Sequence, residues 1–125
     1  MYIEDYVNLE NARELDKLGF RDGCYTFYSK SYDGTYDMLT STICPEMYEE
    51  GDEMYLAPTL YQSTLWLIKH YKIIISVKYS NYIKKYYAVV SHMEHREEFT
   101  SGYSEDYAET LNNAISETIK LINKK

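Results

Sequence analysis

The chain has 125 residues, 45% of them hydrophobic, with a formal net charge of −7, which is long enough to build a core without disulfides or metal. No apolar run reaches the 18 residues a membrane span needs, and the N-terminus "MYIEDYVNLE" lacks the basic-then-apolar order of a signal peptide. The expectation is a soluble cytoplasmic protein, and its acidity argues against non-specific binding to nucleic acid.

The charge is uneven. Residues 1–62 carry 4 Lys/Arg against 13 Asp/Glu, a net −9, whereas residues 63–125 carry 9 against 7, a net +2. Tyrosine is abundant, with 16 residues against three Phe and one Trp. Its ring packs while its hydroxyl stays wet, so it suits both a thin strand-rich domain and an aromatic recognition surface.

A first helix is expected from Leu9 to Leu18, capped by Asn8, with an apolar stripe of Leu9, Ala12 and Leu15 and a stop at Gly19. Asp33-Gly34 then signals a two-residue hairpin turn between β-rich runs. That turn would set Lys30 opposite Asp37, Tyr28 opposite Leu39, Phe27 opposite Thr40 and Cys24 opposite Ile43. Cys24 and Cys44 would then point to opposite sheet faces and remain separate thiols. The stretch 44–55 reads as a helical turn or loop rich in acids.

A second helix should start at Thr59, after Pro58, with Thr59 and Gln62 forming a capping box, and end near Tyr71. "KIIISVKY" and "IKKYYAVVSHM" form a second hairpin around Asn81, and residues 94–102 read as a polar loop. Ser104 is expected to cap a third helix with Ala108, Leu111, Ile115, Thr118, Ile119 and Ile122 on its inner face. The order α-β-β-α-β-β-α, without repeat or linker, implies a single α+β domain over 1–125. Two antiparallel hairpins would form a sheet with helices packed on it.

On a helical wheel Trp66 falls opposite the stripe Leu60, Thr64, Leu67, Ile68 and Tyr71, on the side that should face water. Internal packing, a subunit or protein interface and a ligand wall each account for that position. Lys69 and His70 beside it would offer positive charge. The following hairpin carries Lys72, Lys78, Lys84 and Lys85 with no acid among them, interleaved with Tyr71, Tyr79, Tyr82, Tyr86 and Tyr87. Cations beside stackable rings suit a phosphate-bearing aromatic ligand, although tyrosine also favours strands and lysine protects strand edges. The candidate binding set is therefore Trp66, Lys69, His70, Lys72, Tyr82, Lys84, Lys85 and Tyr86.

Two other clusters carry weaker signals. Glu46, Glu49, Glu50, Asp52 and Glu53 could occupy a basic surface as an acidic decoy, but such runs are usually solvated. His92 and His95 lie close enough in sequence for a metal, yet no H-E-x-x-H or C-x-x-C accompanies them, and no metal or cofactor is expected. No G-x-S-x-G, phosphate loop or G-x-G-x-x-G is present, so no catalytic residue is assigned and a metal- or Cys-dependent enzyme is the least favoured class.

The blocks "NARELDKLGF" (11–20), "YLAPT" followed by "LWL" (55–59 and 65–67) and "YSEDYAETLNNAISETIKLI" (103–122) resemble a family of small uncharacterised proteins of phages and prophages of gut bacteria. The spacing from Ala57-Pro58-Thr59 to Trp66 is the specific element. The resemblance implies an accessory phage protein in the host cytoplasm. It would antagonise host defence by binding a host protein or sequestering a nucleotide-like signal. A homo-oligomer is the further partner that Trp66 could serve.

Overall fold

The computed structural model describes residues 6–22, 24–31, 33–43, 54–95 and 98–124. Its order is α1 (Leu9–Lys17), β1 (Cys24–Lys30), β2 (Tyr36–Ile43), β3 (Met54–Leu56), α2 (Leu60–Tyr71), β4 (Ile73–Ser80), β5 (Lys85–His92), β6 (Glu98–Ser104) and α3 (Tyr107–Asn123). The α+β class stands, with each hairpin extended by a third strand. The strands form two antiparallel sheets ordered β2-β1-β3 and β4-β5-β6. The chain divides into two compact units, Tyr6–Thr59 and Leu60–Lys125. No helix among the described residues is long and apolar enough to cross a membrane.

In the first unit Asn8 caps α1 as expected, its side chain accepting from the Asn11 N–H at 2.9 Å. Ala12 and Leu15 bury the helix stripe. The β1–β2 hairpin differs from the two-residue expectation. Lys30 pairs with Tyr36, Tyr28 with Met38 and Phe27 with Leu39, one residue away from the register that Asp33-Gly34 alone implies. The strands close at Ser31 and Thr35, whose backbones bond at 2.8 Å, while Gly34 is left-handed at φ 88°. The turn is therefore a three-residue loop, which needs a left-handed residue at its end. An irregularity between Cys24 and Thr26 restores the Cys24–Ile43 pairing; Cys44 and the acidic residues 46–53 lie outside the described residues.

β3 adds a third strand by pairing Phe27 with Leu56 and Ser29 with Met54. Three residues are too few to show a period in sequence. Tyr28 is buried and donates its hydroxyl to the Val7 carbonyl at 2.8 Å, and burial raises its pKa. On the same sheet face as Tyr28, the Arg13 guanidinium lies 4.8 Å from the Tyr36 ring centre and 5.7 Å from that of Tyr55.

In the second unit, β4 pairs with β5 without interruption from Ile73–His92 to Ser80–Lys85. Successive strand residues alternate faces. Ile73, Ile75 and Val77 therefore share a face with Ala88 and Val90, and this face packs on Ala114 of α3. Residues 94–102, expected as loop, contain most of β6, which pairs Phe99 with Val90 and Ser101 with Ala88. The α3 cap is Asp106 rather than Ser104. Its carboxylate accepts from the Glu109 N–H at 2.8 Å, and the Ser104 hydroxyl accepts from the Asp106 N–H at 3.1 Å. Leu111, Ile115, Thr118 and Ile119 are buried as expected, joined by Thr110, Asn112 and Ala114.

Candidate functional site

The hairpin of β4 and β5 sorts its tyrosines and lysines by parity. Tyr79 and Tyr86 are cross-strand partners on the helix side, with ring centres 5.0 Å apart, and Tyr107 at the start of α3 meets Tyr86 edge-on at 5.7 Å. The outer face carries Lys78 opposite Tyr87, with Lys85 two residues away on the same strand. Lys78 and Lys85 are exposed. Neither has a carboxylate within ion-pair distance among the described residues.

A bulge supplies the second ring of this face. The β5–β6 register shifts between Tyr86 and Ala88, so that Tyr86 meets Ser104 whereas Ala88 meets Ser101. Gly102 occupies the extra position at φ 74°, the left-handed bulge geometry that glycine suits. Without that extra residue Tyr103 would follow Phe99 and Ser101 onto the helix side. With it, Tyr103 reaches the outer face and stacks on Tyr87, with centres 5.8 Å apart and planes at 21°. Tyr103 stays 53% exposed. Two near-parallel rings flanked by two free ammonium groups can receive a flat aromatic group and a neighbouring anion.

The residues expected to form one site separate into two groups. Trp66, Lys69, His70 and Lys72 lie where α2 runs into β4, whereas Tyr82, Lys84 and Lys85 lie at the far turn. Eight strand residues between them span about 26 Å, too far for one small ligand. Tyr82 at that turn is 96% exposed, and Tyr86 turns to the helix side.

Trp66 corrects the expectation of a water-facing ring, being only 5% exposed. α2 buries Leu60, Ser63, Trp66 and Leu67 and leaves Tyr61 and Leu65 outside. The Trp66 ring lies 4.6 Å from that of His70 and 5.8 Å from that of Tyr71. Lys69 and His70 are exposed.

Lys72 is left-handed at φ 58° and forms an ion pair with Glu94. Hydrogen bonding and charge from Lys72, with smaller contributions from His92 and His95, hold the Glu94 carboxyl below the usual range. The His92 and His95 rings are 4.4 Å apart, and His92 Nδ1 accepts from the Glu94 N–H at 3.0 Å, so that nitrogen is already engaged.

Sequence reasoning placed Lys78 and Tyr87 in the basic hairpin but not Tyr103, whose only signal was the glycine before it. A cavity of about 270 Å³ was also missed; it lies between the sheet and the C-terminal half of α3. Compared with known families, curated proteins and solved structures, the chain matches no family model, no curated sequence and no solved structure.

Proposed function

We propose that the protein is a non-enzymatic binding protein that captures a nucleotide-like small molecule on the outer face of its second sheet. The observation that carries this reading is the Tyr87–Tyr103 stack with Lys78 and Lys85 on the same face. The rings take the base and the ammonium groups take the phosphate. The overall charge of −7 disfavours a long polyanion, so a mononucleotide suits the face better than a strand. By the resemblance to phage proteins, the setting is the host cytoplasm and the effect is sequestration of a host signal.

A host protein partner is the second reading, favoured by the exposed hairpin tip, where Tyr82 and Ile83 are 96% and 45% exposed. Titrating the chain with AMP and with adenosine while following tyrosine ring resonances tests the first reading. Tyr103→Ala should weaken AMP binding about tenfold, within the range for one base–ring stack. Lys78→Ala with Lys85→Ala should abolish the preference for AMP over adenosine. Unchanged AMP affinity in both variants sinks the reading.

A further inference from the structure

The second unit's cavity of about 270 Å³ plays no part in the stacking face. Ile73, Val90 and Phe99 line it from the sheet, and Thr118 and Leu121 from α3. The lining includes no Lys, Arg, Asp or Glu, so an ionised ligand would lose its water without gaining an opposite charge. An apolar cavity of about 150 Å³ takes a benzene, so this chamber has room for two fused rings.

Three further polar residues, Tyr71, Ser91 and His92, also line the cavity. The Thr118 hydroxyl is engaged, donating to the Ala114 carbonyl at 2.8 Å. His92 Nδ1 accepts from the Glu94 N–H at 3.0 Å, and an accepting nitrogen carries no proton. The neutral ring therefore holds its proton on Nε2. Nε2–H has no acceptor among the described residues, and the Tyr71 hydroxyl has no partner among them either. The backbone bond thus leaves Nε2–H as the remaining donor of a ring that lines the chamber.

We propose that this cavity is a binding site for an uncharged two-ring molecule carrying one carbonyl-type acceptor, which His92 Nε2–H meets. The site is independent of the nucleotide reading, since none of Lys78, Lys85, Tyr87 and Tyr103 lines it.

The test uses the full chain at pH 8 with two probes, 1-tetralone and its carbonyl-free counterpart tetralin, followed by amide chemical shifts. 1-Tetralone should saturably shift Ile73, Val90, Phe99 and Leu121 and bind roughly fivefold tighter than tetralin, the gain of one neutral hydrogen bond. His92→Phe keeps the apolar volume and should bring the two affinities together. Leu121→Trp, at a position already 41% exposed, should fill the chamber and abolish both. Equal affinities in the wild-type chain, or a preference that survives His92→Phe, overturn the role of His92. Shifts confined to residues outside the lining overturn the site.

Discussion

A Cβ placed on Gly102 would sit 2.5 Å from the carbonyl oxygen of Thr110. Bulge and helix touch backbone to backbone there, and Gly102 is also left-handed at φ 74°. The contact fixes where α3 crosses β6 and, one residue on, where Tyr103 points.

Gly102→Ala therefore carries two penalties, the left-handed strain of a residue with a side chain and the overlap with a carbonyl that cannot swing aside. We expect a loss of about 2–4 kcal/mol in urea unfolding, from a lower midpoint at unchanged slope. The Tyr87–Tyr103 stack should loosen in the same variant, visible as a changed near-ultraviolet tyrosine dichroism. A variant as stable as the parent would mean that the bulge can relax without α3.

Trp66, the sole tryptophan, reports on its own burial. Its emission should be blue-shifted and poorly quenched by acrylamide in the native chain, and should shift red on unfolding. Trp66→Ala should cost about 3–5 kcal/mol, as large aromatic truncations in cores do. An exposed, readily quenched tryptophan would contradict its 5% exposure.

Asp33 accepts from the Ser31 hydroxyl at 2.6 Å, the Thr35 hydroxyl at 2.7 Å and the Thr35 N–H at 3.1 Å. These bonds, Ser31's foremost, lower its pKa to about 2. The folded value is below the unfolded one, so the turn's contribution is full above the ordinary carboxylate range. It is lost as pH falls toward about 2. A carboxyl-carbon titration should find that midpoint, and Ser31→Ala should move it upward. A midpoint near the ordinary value in the intact chain would show that the triple bonding does not persist in solution.

The parts of the fold that were legible in sequence are those fixed by local chemistry. Asn8 capped α1, Tyr71 ended α2, and Leu111, Ile115, Thr118 and Ile119 marked the buried face of α3. The second hairpin followed from its β-branched run. Register was harder, because Asp33-Gly34 signals a turn without specifying its length, and one extra loop residue moved every pair from Thr26 to Lys30. β6 escaped notice because Gly102 breaks the alternation that identifies a strand. Trp66 misled because the wheel scores apolar side chains, while α2 buries small Ser63 and exposes Leu65. The site was half legible: Lys78, Lys85 and Tyr87 were visible as a basic aromatic hairpin. Which rings share a face depended on a bulge that only long-range pairing reveals.

Strand β4 is bracketed by left-handed lysines, Lys72 at φ 58° and Lys84 at φ 56° just beyond its turn. A left-handed turn residue tolerates lysine at modest strain but strongly resists a β-branched side chain. Sliding the hairpin by one residue in the direction that brings Ile83 to the position of Lys84 is closed by sterics. The same slip would also send Ile73, Ile75 and Val77 to the outer face. The pairing that presents Lys78 beside Tyr87 thus has a mechanical stop at its turn as well as a hydrophobic preference along its length.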